Sequence, residues 1–157
     1  MPFLSGIVLL ATIVLLGYTA LVDLKHQIIP NRLVALLGLL FFVHAGLAAQ
    51  WTNILEHAGF ALAIFLFLLL FYARGWIGGG DVKLLTVAFL WTGVLDAFVF
   101  SLLLSVCAGL HALAVKSTRL AGGRADDADG RTRIPFAPSI AVALIGVLML
   151  RYLIITR

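Results

Sequence analysis

Long apolar runs, broken only by short polar turns, constrain this chain more than any other feature. They fall at about 3–22, 33–49, 54–73, 82–94, 97–115 and 135–153. Runs of this length cannot all be interior strands or helices of a water-soluble domain, and they read as membrane spans. Composition agrees: 63% of the residues are hydrophobic and 11% charged, where soluble domains carry about 25% charged residues. The expected fold is all-α, a polytopic integral membrane bundle of about six transmembrane helices. The 157 residues leave no room for a separate soluble domain, so the chain reads as one transmembrane domain.

Charge placement gives an orientation. Nine of the eleven Lys and Arg residues lie in or beside the first, third and fifth connections, and the second and fourth carry none. Positive loops stay in the cytoplasm, so these three turns are expected there and the N-terminus outside. Arg151 and Arg157 go against this pattern. The first run has no basic residue before it, unlike a secretory signal, and reads as a retained span. The net charge of +4 is spread over turns, which points to topology and not to nucleic-acid binding. The segment 116–134, with Gly122, Gly123, Gly130 and the acids Asp126, Asp127 and Asp129, reads as a flexible cytoplasmic loop.

The run 82–94 is short. At 1.5 Å per residue it reaches about 20 Å, against about 30 Å of hydrocarbon. Its head, including Asp81, is expected to sit partly sunk in the bilayer. Asp23 ends the first run at the same face, 58 positions earlier. A carboxylate at the edge of hydrocarbon is costly and tends to be functional. Two at one face can share a proton, one acting as base toward water while the other polarises a carbonyl. Peptide hydrolysis requires both roles. No Ser/His/Asp or Cys/His set competes, since His44, His57 and His111 look scattered and His26 lies in a basic turn. Cys107 is the only cysteine, so no zinc or disulfide framework is available. No metal or cofactor is expected.

Local sequence around each acid is distinctive. After Asp23 comes Ile29-Pro30-Asn31, where Pro30 disfavours helix in the residue before it and Asn31 suits a helix N-cap. Before Asp81 come Gly78, Gly79 and Gly80, a stretch open to close backbone approach. Ser101, Ser105 and Gly109 set a small residue on every fourth position of the fifth run, an expected helix–helix contact inside the bundle.

These motifs together, with Gly78-x-Gly80-Asp81-x-Lys83 and the late Ile134-Pro135-Phe136-Ala137-Pro138, resemble the type IV prepilin peptidases, intramembrane aspartic proteases of the GxGD group. The resemblance covers nearly the whole chain. It implies that Asp23 and Asp81 are the catalytic pair, supported by Gly78, Gly80, Lys83, Pro30 and Asn31. It implies removal of a short basic leader from prepilin or pseudopilin precursors at the cytoplasmic face of the bacterial inner membrane. The chain lacks the cysteine-bearing insert of the longer members after the first span. It is similar to the short, peptidase-only branch of tight-adherence (Flp-type) pili, which implies no N-methyltransferase activity. Two other classes fit the bare residues: a small proton- or cation-coupled transporter, and a non-catalytic subunit of a pilus or secretion machine.

Overall fold

Helix α1 (Pro2–His26) shows how the bundle is built. Thr12, Leu16, Thr19 and Asp23 recur at helical spacing and are all buried, so they form one inward stripe. The two threonines satisfy their hydroxyls on the preceding turn, at Val8 O and Leu15 O, each 2.8 Å away. That leaves no unpaired donor in an apolar interior. The opposite stripe, Leu10, Val14, Tyr18 and Leu21, is exposed. The computed structural model describes residues 2–48, 51–121 and 135–155. The remaining helices are α2 (Asn31–Leu47), α3 (Trp51–Ala73), α4 (Gly79–Ala121) and α5 (Ala137–Ile155).

Three of the described helical stretches, Phe3–His26, Ile54–Ala73 and Gly79–Ser117, are long and apolar enough to cross a membrane; Asn31–Leu47 and Ala137–Leu153 are shorter apolar helices. Leu95 is 88% exposed and Leu55 80%. An exterior this greasy suits lipid and not water, and the protein is an all-helical integral membrane protein.

Helix α4 is not straight. Gly93 has φ 63° and ψ −169°, a region essentially reserved for glycine. The rings of Phe89 and Phe100 are 5.0 Å apart, whereas eleven residues of continuous helix would separate them by about 16 Å. The two arms, 79–92 and 94–121, therefore fold back on each other. The second arm runs antiparallel to α5: Arg151 lies 3.9 Å from Asp96, and His111 Nδ1 lies 3.2 Å from Ser139 Oγ. The first arm runs alongside α2, where the Trp91 indole donates to Leu37 O at 3.0 Å. The six helical segments among the described residues thus alternate in direction, and the turn between the fourth and fifth sits at Gly93, not at the expected Leu95–Asp96, both of which are helical.

Two further expectations need correction. The face with Ser101, Ser105 and Gly109 is exposed, and a Cβ on Gly109 would meet nothing within 4 Å. The segment packs on α5 through other residues, including Leu103, whose side chain reaches the backbone at Gly146. Asn31 is the first residue of α2, and Pro30 takes the N-cap position with no side-chain cap. The loop expected at 116–134 begins later: residues 116–121 continue α4 as helix, and 122–134 lie outside the described residues.

Candidate active site

Helices α1, α2 and α5 and the first arm of α4 converge at one end of the bundle on an open cleft of about 1090 Å³. Asp23 and Asp81 both line it, with Gln27, Ile28, Ile29, Pro30 and Asn31 on one wall and residues 75–80 with Lys83 on another. Asp23 sits in the last turns of α1, inside the helix and not in the connection after it. It is 4% exposed. Its Oδ2 accepts a hydrogen bond of 3.0 Å from the backbone N–H of Ala137. Ala137 opens α5, where backbone N–H groups lack partners within the helix and the dipole is positive. A buried carboxylate needs such a donor, and hydrogen bonds to charged groups contribute about 1.5–3 kcal/mol.

Asp81 stands in the first turn of α4 and is half-buried. The Val82 N–H donates to Gly78 O at 3.1 Å, so Gly78 is the N-cap. The Asp81 carboxylate turns back over it: a Cβ on Gly78 would lie 3.0 Å from Asp81 Oδ2. Chain reversal alone brings the Asp23 and Asp81 side chains to one cleft from positions 58 residues apart.

The glycines have different neighbours. A Cβ on Gly80 would be 3.2 Å from the Cβ of Ile29, and one on Gly79 would be 3.2 Å from the Tyr72 ring. The space that glycine leaves at Gly79 and Gly80 is thus taken up by the protein's own side chains, where an opening for another peptide backbone was expected. Lys83 Nζ donates to Asn31 Oδ1 at 2.9 Å, tying the start of α2 to the start of α4 beside the cleft. This is the work Asn31 does in place of capping. Pro30, at φ −64° and ψ 132°, fixes the elbow that carries both Ile29 and Asn31.

Sequence reasoning brought the two acids and the two motifs to one place but missed the partner of Asp23. A backbone N–H has no side-chain signature, although the Pro-rich 134–138 segment marked its location. Among the described residues, no group of three or more His, Cys, Asp or Glu side chains is arranged to hold a metal.

Fold and site together define a class: a polytopic helical membrane protein in which carboxylates from two different helices open onto one cleft at the bundle's end. The chain belongs to the type IV leader peptidase family, whose model matches residues 10–113. It is also similar to the prepilin leader peptidase/N-methyltransferase of Bacillus subtilis (strain 168), with 38% identity over 140 residues, covering 83% of this chain and 50% of that protein. The chain thus spans about half the length of the curated relative it matches. The family match includes Asp23, Asp81 and the turns around them and stops before α5. No solved structure matches the chain.

Proposed function

We propose that this protein is a membrane-embedded aspartic endopeptidase that removes the leader peptide from type IV prepilin-like precursors, with Asp23 and Asp81 as its catalytic pair. The observation that carries the reading is the single cleft lined by both carboxylates. One ionised carboxylate takes a proton from water, and its protonated neighbour polarises the scissile carbonyl. The Ala137 N–H holds Asp23 Oδ2 in place within the cleft, while Asp81 is the more exposed of the two acids.

Six spans with the N-terminus outside bring the cleft to the cytoplasmic face of the bacterial inner membrane. The cleft end is where the first and third connections, with Lys25, Arg32, Arg74 and Lys83, are found, and basic connections stay inside. The apolar helix of a precursor can lie in the bilayer against the bundle while its leader remains in the cytoplasm. Only four residues separate α1 from α2, and no cysteine pair lies there, so N-methyl transfer is not part of the proposal.

Replacing Asp23 or Asp81 by Asn tests the reading. In detergent or vesicles, each variant is expected to lose cleavage of a type IV prepilin precursor by at least about 10³-fold, since neither carboxylate can fill both roles. Full activity in either variant would refute the assignment.

A further inference from the structure

One cleft residue, Gln27, has a backbone and a side chain that the aspartate pair does not account for. Its φ is 52°, and it is the one non-glycine residue with positive φ among those described. Its N–H donates to Asp23 O at 2.8 Å, closing α1 with a left-handed residue. That position is usually glycine, with asparagine next, because a Cβ is strained there. A chain shaped only for stability would place glycine at 27.

The side chain supplies the other half of the argument. Gln27 is exposed and lines the same cleft as Asp23 and Asp81. The other polar side chains of the lining have defined tasks. Asp23 accepts from Ala137, and Asn31 and Lys83 hold each other. Asp81 is the second carboxylate, and the Trp76 indole offers a donor but no acceptor. The Gln27 carboxamide makes no hydrogen bond to any described residue. Unlike Asn31, whose oxygen is taken by Lys83, it keeps both its donor and its acceptor to offer. An extended peptide needs that combination, because each of its residues presents one N–H and one C=O.

We infer that Gln27 is a substrate-binding residue whose carboxamide hydrogen-bonds the main chain of a peptide lying extended across the cleft, held there by a left-handed turn that lowers the stability of the fold. This rests on the peptidase reading above.

Two variants separate backbone from side chain. Gln27→Gly removes both the carboxamide and the strain; Gln27→Ala removes the carboxamide and keeps the strain. With a recombinant type IV prepilin precursor, leader and apolar helix intact, both are expected to raise KM about fivefold with kcat within about twofold. Only Gln27→Gly is expected to gain thermal stability, by about 2–4 °C in Tm. Wild-type KM in either variant, or a loss carried by kcat alone, overturns the inference. If the wild type cuts the precursor, Asp81→Asn does not, and the Gln27 variants match wild type, this inference alone falls. A wild-type chain that leaves the precursor intact overturns it together with the peptidase reading.

Discussion

Gly79 and Gly80 are neighbours with opposite sensitivities. A methyl at Gly80 would press on the branched Cβ of Ile29 at 3.2 Å, and Ile29 is buried on the elbow before Pro30. A branch point next to the backbone cannot swing aside, so the elbow must move. Gly80→Ala is expected to cost about 1–3 kcal/mol, as overpacking does, and to lower precursor cleavage at least tenfold by shifting α2 from α4. A methyl at Gly79 meets the edge of Tyr72, an exposed ring free to rotate away. Gly79→Ala is expected to stay within about twofold of wild-type activity and to add helix propensity. Unfolding curves and cleavage rates on the two variants check this contrast. The Lys83–Asn31 contact is exposed, so its contribution is modest. A cycle of Lys83→Met and Asn31→Ala is expected to show coupling of about 0.5–1 kcal/mol in stability.

Within α4, the reversal at Gly93 leaves the last carbonyls of its first arm without helical partners. Side chains from near and far supply them. His57 Nδ1 lies 2.8 Å from Leu90 O, and Thr92 Oγ1 donates to Phe89 O at 3.3 Å. The His57 ring also fills the notch beside Gly93, 2.6 Å from where a Cβ would stand, and stacks on Phe41. His57 therefore serves the fold, although the sequence shows it only as one of three scattered histidines. His57→Leu is expected to destabilise by about 1–3 kcal/mol, the cost of an unpaired buried carbonyl. Gly93→Ala is expected to cost at least about 2 kcal/mol through its disallowed backbone and its clash with the ring. Thermal unfolding in detergent measures both. The reversal was legible only to within a few residues. Val94 and Leu95 are as apolar as their neighbours, and Asp96 marked a polar point that belongs to the returning arm, opposite Arg151.

For the whole molecule, the first and third connections, at the cleft end, should face the cytoplasm. In a Cys107→Ala background, Lys25→Cys is expected to react with a membrane-impermeant maleimide only from the cytoplasmic side, and Leu95→Cys only from the opposite side. The reverse result would invert the orientation derived from Lys and Arg placement. The small-residue face at Ser101, Ser105 and Gly109 shows the limit of periodicity at this scale. A pattern states that a close helix contact is permitted, and here the second arm of α4 packs on α5 through the adjacent face instead.

Hydropathy by itself determined that the chain is helical and membrane-embedded, because backbone polar groups in hydrocarbon must be satisfied within each segment. Charge parity and local motifs singled out Asp23 and Asp81 as candidates and assigned them to one end of the bundle. Tertiary structure alone decided that they open onto one cleft and that Asp23 is held by a backbone N–H 114 residues away. It also decided that the glycine stretch receives Ile29 and Tyr72. Those outcomes depend on which faces of distant helices meet, and the close packing that sets them is a property of all the segments together.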